Sequence, residues 1–586
     1  MNKTWDLSKL YADFGSVFQH DIELLKELTK KYNEAVGKTS QDVVSYLENV
    51  FHVAEEIEIL TYKLYSYPSL VQATDVNNQQ SAKALAVISD ILNTMVVAGV
   101  RFCRYVKKVN VAEVVKQSSF LSEYEFNLQT IKQEALHLLS EKEEELYANL
   151  KPLASGSWSD LQSLATANLE IAYREQKLTL SEVRNLAYDQ DPLVRKDAYY
   201  AELAAYKGVE NFVALGLSNI KREVNIITKL TKFKSPLDHS LYVCHMSKKS
   251  LNALLGAIED KKGIFAKYLK EKAKFLGYKG GLPFYEMFAP VGKVSKTYSY
   301  EEASDLVCQA YASFSPKLGA FGRKAFDNSW IDVLPHPGKV GGAFCSNIPP
   351  LNESRVLTNF TGSLSDCLTL AHELGHAYHG EIIAQNKPLN WDYPMQLAET
   401  ASIFCETITN NYLLSKIDSP EEKLHILESQ IQDATQVIVD ILSRYKFEQS
   451  VIALGNAPAS AQELKDLMLK AQKESYLDGL DHDLLHPYMW LCKGHYYSAG
   501  FNFYNFPYAF GLLYAQGLYA NYLTGKEEFV QKYDKMLYAT THKTAENVAL
   551  EMGVDITDKK FWLSSLKQIE NTINEVVKLF HELRKK

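Results

Sequence analysis

The sequence predicts a mainly α protein with one small β-sheet, and three observations carry that reading. Apolar residues recur at helical spacing through most of the 586 residues, helix-opening residues recur with them, and strand-like patterning is confined mostly to 340–346 and 355–361. Hydrophobic residues form 46% of the chain, which is ample for a sizeable core, and no repeat period or low-complexity tract is evident.

Taken in order, amphipathic helices are expected over 21–36, 42–65 and 77–106, then a helical set from Val111 to about Leu150. The apolar run from Ala84 to Val100 is broken by Asp90 and Asn93, so it reads as a buried helix rather than a membrane span. P-L-A-S-G-S at 152–157 reads as a loop, and Asp191-Pro192 supplies an N-cap and an N1 proline for a further helix. Ser247 opens a long helix to Phe275, ended by the glycine-rich 277–281. Ser299-x-x-Glu302 and Ser419-Pro420-Glu421-Glu422 read as capping boxes, the second before a helix reaching about Leu454.

A formal charge of −8 with no basic stripe argues against nucleic acid as a main partner. The N-terminus lacks the apolar core of a signal peptide, and the seven cysteines follow no disulfide or C-x-x-C pattern, so a cytoplasmic location is expected. Cys345, Cys367 and Cys405 are expected to be buried and inert.

The chemistry concentrates in T-L-A-H-E-L-G-H-A-Y-H-G, residues 369–380. On a helix His372 and His376 lie one turn apart on one face, so both imidazoles can reach one cation while Glu373 projects beside them. Chance would place such an H-E-x-x-H match in about 2% of chains of this composition, so its context matters. Ser363 or Ser365 can cap the helix, Asp366 suits its first turn, and Gly375 costs about 1 kcal/mol relative to Ala, which implies close packing there. A catalytic zinc takes three protein ligands and keeps a position open, and a carboxylate beside that position can accept a proton from water. The helical segment from Met395 offers Glu399 and Glu406. Glu399 is the better placed third ligand, while Glu406 either orients a ligand histidine or lies on a solvated face.

Two further stretches bear on substrate. The strand-like pieces upstream of the motif could pair with an extended peptide through main-chain hydrogen bonds, and the loop 338–342 could approach that peptide or be a plain turn; it lacks the order of a phosphate loop. H-Y-Y-S-A-G-F-N-F-Y-N-F-P-Y-A-F-G, residues 495–511, offers His495, Tyr496, Tyr497, Tyr504 and Tyr508 as donors to an oxyanion, or as packed aromatic residues.

His372-Glu373-x-x-His376 with Glu399 in A-E-T-A-S resembles the zinc site of the oligoendopeptidase F family, relatives of thimet oligopeptidase. G-G-A-F-C at 341–345, E-S-R-V-L-T-N-F-T-G-S-L-S-D at 353–366 and the opening W-D-L-S-K-L-Y at 5–11 are similar to that family as well. The resemblance implies a zincin-type multi-helix metallopeptidase with its site in a deep cleft or channel, binding one Zn2+ per chain through His372, His376 and Glu399. It implies Glu373 as general base, and His495, Tyr504 and Tyr508 as transition-state stabilisers or substrate binders, with Tyr497 as an alternative. His379, His482 and His486 read as structural or supporting residues. The implied division is an N-terminal helical region at 1–114, an oligopeptidase F-like domain at 115–185 and a catalytic domain at 190–586. The expected activity is hydrolysis of short oligopeptides at internal bonds. Two rivals stand beside it: a zinc carboxypeptidase, which would receive a substrate carboxylate on Arg323, Arg355 or Lys493, and a non-catalytic helical peptide-binding protein.

Overall fold

Local capping chemistry sets most helix starts. Asp42, Asn78, Asp191 and Ser247 each accept a backbone N–H at the openings of Val43–Thr74, Gln79–Asn93, Pro192–Tyr206 and Lys248–Phe275. Ser299 and Glu302 form a reciprocal box at Tyr300–Phe314. At Pro420–Thr435 only half of the expected box forms: Ser419 accepts the Glu422 N–H, and its hydroxyl donates to Glu421. Lys248–Phe275 ends at Gly277, whose φ of 94° a side chain would resist. The computed structural model, which describes residues 1–292 and 296–584, is mainly helical throughout.

Three expectations change. Val43–Thr74 runs past the expected end at Tyr65 and carries Pro68 within it. The stretch 79–106 is apolar and long enough to cross a membrane by length and composition alone, yet it is not one buried helix. It divides into Gln79–Asn93 and Val96–Val106, where the Thr94 hydroxyl takes the Ile91 carbonyl and the Thr94 carbonyl accepts from Asn33. Only its inner side is buried, through Ile88, Ile91, Ala98, Phe102 and Val106, while Val96 and Val97 are exposed. The helical set expected from Val111 is present as four short helices, whereas Pro152–Gly156 is a π-helical turn rather than a loop. There the Gly156 N–H bonds the Lys151 carbonyl five residues back, a register that tolerates Pro152, which has no N–H to donate.

Strands are few. A hairpin of β1 (Ile171–Tyr173) and β2 (Gln176–Leu178) is unannounced by any alternating pattern. The second sheet holds β3 (Ile331–Asp332), β4 (Phe344–Ile348) and β5 (Glu353–Leu357) in the order β3-β5-β4, with β5 parallel to β3 and antiparallel to β4. Both expected strands are thus present with shifted bounds, and β4 is an edge.

The chain divides into two units. One comprises Met1–Leu138, Ser295–Ser415 and Asn521–Gly553. Its core joins Leu25, Leu47, Leu64, Ile88 and Leu128 with Ile348 of β4, and a second aromatic group stacks Phe404 on Phe529 and Tyr533. The other comprises Leu139–Val294, Lys416–Ala520 and Val554–Lys586. It buries the ion pairs Arg195–Glu286 at 2.6 Å, Lys221–Glu448 at 2.7 Å and Lys272–Glu428 at 2.6 Å. Pairs of this kind are costly to break, because a single buried charge would remain.

The motif helix Leu364–Ile383 lies against both β4 and the helix Met395–Leu414, and glycines permit the contact. A Cβ on Gly375 would come within 2.6 Å of the Ser402 Cα and 2.8 Å of the Ala401 carbonyl oxygen. Those are backbone atoms that cannot rotate aside, so Gly375→Ala should lose about 1–3 kcal/mol of stability even though Ala is the better helix former. Thermal unfolding tests this, and an unchanged midpoint would show that the two helices separate without cost.

Candidate metal centre

The motif helix opens with a reciprocal box: Ser363 Oγ accepts the Asp366 N–H at 3.1 Å while the Asp366 carboxylate accepts the Ser363 N–H at 3.0 Å. Of the two serines considered, Ser363 is therefore the cap. Two turns further on, His372 Nε2 and His376 Nε2 lie 3.2 and 3.4 Å from Glu399 Oε2 on Met395–Leu414. One donor atom from each of the three lies within 4.8 Å of the others. Two imidazole nitrogens and a carboxylate oxygen converging this closely suit a divalent transition metal. Ser402, at the close crossing beside Gly375, donates to Glu399 Oε2 at 2.8 Å and holds that carboxylate.

Glu406 does not lie on a solvated face: its Oε2 is 3.1 Å from His372 Nδ1. A carboxylate on the far ring nitrogen fixes the tautomer that leaves Nε2 free for a metal. Burial by itself would lower the His372 pKa, but hydrogen bonds to Glu399 and Glu406 outweigh it and raise it to about 10. The Glu399 carboxyl is held well below the usual range: burial raises it, and the two histidines more than offset that.

Glu373 is 7% exposed and is not one of these three donors. Burial raises its pKa, opposed by His376 and His372, which makes it a stronger base than an exposed glutamate. The Tyr311 hydroxyl donates to the Ala371 carbonyl just before the motif and anchors the helix. His379 is fully buried, stacked on Tyr393, with Nε2 2.8 Å from Thr540 Oγ1; burial lowers its pKa to about 3, so it is a neutral packing residue. Burial also raises the thiol pKa of Cys345, and lifts Cys367 and Cys405 to about 12, which leaves all three thiols inert at neutral pH. The loop 338–342 is tied down: the Val76 N–H donates to Gly338, the Val340 N–H to Ala73, and Asn359 to the carbonyls of Val340 and Gly342.

In the other unit, His495 lies in the short turn Gly494–Tyr497 with its ring stacked 5.8 Å from that of Tyr504, and the Tyr508 hydroxyl donates to the Tyr504 hydroxyl at 2.8 Å. The Asn505 amide oxygen accepts from Arg444 Nη1, so its NH2 faces His495 Nε2 at 2.8 Å. That assignment leaves the His495 proton on Nδ1. Burial, then Arg444, Lys221 and Lys493, lower its pKa to about 3, so it is a neutral hydrogen-bond donor. Tyr497 is buried with its hydroxyl on the Trp490 carbonyl. His482 bonds the Leu477 carbonyl, and His486 sits buried with Nε2 3.4 Å from Glu202. Arg444 and Asn505, which set the His495 tautomer, had no sequence signal: Arg444 is one cation inside a long helix.

Residues 185–568 match the family model described as Peptidase family M3, and residues 107–171 match one described as Oligopeptidase F. An oligoendopeptidase F homologue from Borreliella burgdorferi is 26% identical over 596 residues, covering 100% of this chain and 98% of the relative. Oligopeptidase PepF of Bacillus subtilis is 22% identical over 606 residues, covering 99% and 88%. The crystal structure of oligoendopeptidase-F from Enterococcus faecium matches with a TM-score of 0.73 at 19% identity, covering 96% of this chain and 99% of that one. A crystal structure from Chlamydophila abortus matches with a TM-score of 0.86 at 22% identity, covering 98% of both chains. At these identities the two structures carry the fold.

Proposed function

Because this chain belongs to peptidase family M3, in its oligoendopeptidase F branch, and is thereby a mainly α metalloendopeptidase that hydrolyses oligopeptides, we propose that its metal is zinc, held by His372, His376 and Glu399. The observation that carries the reading is the convergence of three donors from two helices with the buried Glu373 beside them. Zinc bound there supplies Lewis-acid chemistry, lowering the pKa of water and polarising a peptide carbonyl. Glu373 accepts the proton of the attacking water and returns it to the leaving amine. Glu406 holds His372 in the tautomer that ligation needs, and Ser402 keeps Glu399 turned toward it.

From the family resemblance we carry over His495, Tyr504 and Tyr508 as donors to the developing oxyanion. Their own arrangement supports that role, since the neutral imidazole with its proton on Nδ1 and the Tyr504 hydroxyl, which accepts from Tyr508, can each donate without adding net charge. β4, as a sheet edge, is the element on which an extended peptide would pair. The spans of the two family models support assigning 115–185 to an oligopeptidase F-like domain and 190–586 to catalysis, after a helical region at 1–114. Free thiols at all seven cysteines accord with a cytoplasmic site of action.

The test is cleavage of an internally quenched oligopeptide by protein stripped of metal and then reloaded with zinc, with products identified by mass. Internal cuts that appear only on reloading are expected. Trimming from one end alone would favour the carboxypeptidase reading, and bound zinc without any cleavage would make the site a binding or structural one.

A further inference from the structure

Three cations are candidates for receiving a substrate carboxylate, and the structure separates them. Arg323 is paired with Asp305 at 2.8 Å, and Arg355 is buried against Glu353 at 3.0 Å. Lys493 has no ion-pair or hydrogen-bond partner for its ammonium among the described residues. It borders a cavity of about 230 Å³ whose wall also includes Arg184, Asp440, Arg444 and His486.

Charge around this cavity does not balance. Arg184 is paired with Glu202 at 2.5 Å and Arg444 with Asp440, so each guanidinium already has its carboxylate. Lys493 adds a third positive charge with no matching negative one among the described residues. Burial lowers its pKa and the nearby Arg444 and Arg184 lower it further, so its charge is unfavourable as long as nothing negative sits beside it. One further donor is left without a partner among the described residues, Arg444 Nε. A half-buried ammonium and a buried guanidinium N–H, both without an acceptor at one cavity, describe a site shaped for an anion.

The cavity also adjoins a group already assigned to substrate. Lys493 precedes His495 by two residues, and Arg444 reaches His495 through the Asn505 amide, at 3.3 Å and 2.8 Å. We propose that this cavity binds the C-terminal carboxylate of the peptide substrate, with Lys493 as the primary cation and Arg444 beside it. The inference rests on the oligopeptidase reading above and deepens it. An anchor of this kind ties the position of cleavage to the carboxyl end of the peptide, and it discriminates against blocked termini and against long chains whose ends are out of reach.

The test compares one peptide lacking acidic side chains, as free acid and as C-terminal amide, on the wild type, Lys493→Met and Lys493→Arg, each loaded with zinc. The wild type should have a KM for the acid about tenfold or more below that for the amide, as a charge-assisted contact implies. Lys493→Met should erase that difference by raising KM for the acid alone, with kcat little changed and the amide unaffected, and Lys493→Arg should restore part of it. Acid and amide cleaved alike by the wild type would overturn the carboxylate site and leave the peptidase reading intact, whereas failure to cleave either would sink the peptidase reading itself. An equal loss on both substrates in Lys493→Met would assign the residue to folding and overturn the proposal. Sodium acetate at constant ionic strength is the last arm: Lys493-dependent inhibition of the acid only is expected. Equal inhibition of acid and amide would mean that the cavity takes a free anion instead of the substrate's own carboxylate.

Discussion

Glu373→Gln is expected to lower kcat/KM for oligopeptides by about 10²- to 10⁴-fold while leaving bound zinc unchanged. The two effects separate because Glu373 lies outside the three-donor cluster, so its carboxylate can be neutralised without touching a ligand. Glutamine keeps the shape and fills the same buried space, which excludes a packing defect as the source of the loss. It cannot accept a proton at neutral pH. Zinc content and steady-state rates on the same preparations decide the matter; a variant that keeps both zinc and turnover would remove Glu373 from the reaction.

His376→Ala should reduce activity to background by losing the metal itself. Removal leaves one imidazole and one carboxylate, short of the three protein ligands that a catalytic zinc site uses. Glu406→Gln should act through the same readout but more weakly, by about 10- to 100-fold in metal affinity, because it only orients His372. Proton competition sets the pH dependence of loading. The metal-free pair of His372 with Glu399 and Glu406 raises the His372 pKa to about 10, and that proton must leave before Nε2 can ligate. Zinc affinity should therefore rise as pH rises through neutrality, and binding should release protons. Metal titrations in buffers of different ionisation enthalpy would detect that release. Retention of full zinc occupancy by His376→Ala would show that the ligands are other residues.

Much of the local structure was legible because its causes are local. Helix starts at Asp42, Asn78, Asp191, Ser247 and Ser299 follow from one side chain meeting an N–H within a turn. The failures share the opposite cause. The π turn at Pro152–Gly156 keeps helical hydrogen bonding where a loop was expected, and the segment 79–106 is divided at Thr94 by a contact with Asn33, 61 positions away. The hairpin of β1 and β2 is only three residues a side, too short for an alternating pattern to show.

At the site the same division holds. The i, i+4 spacing of His372 and His376 is helix geometry, so their shared face was determined by the sequence alone, as was the family through the motifs around it. The need for a small residue at Gly375 was also visible, but what it touches was not: Ser402 and Ala401 lie on another helix. Only tertiary packing brought Glu399 onto both imidazoles, turned Glu406 to the far side of His372, buried Tyr497 in the core and left Lys493 without a counter-ion among the described residues. Those outcomes depend on how elements far apart in the chain are stacked and on which charges remain after burial. A sequence pattern reports the period of one element, and it carries no term for the distance between two.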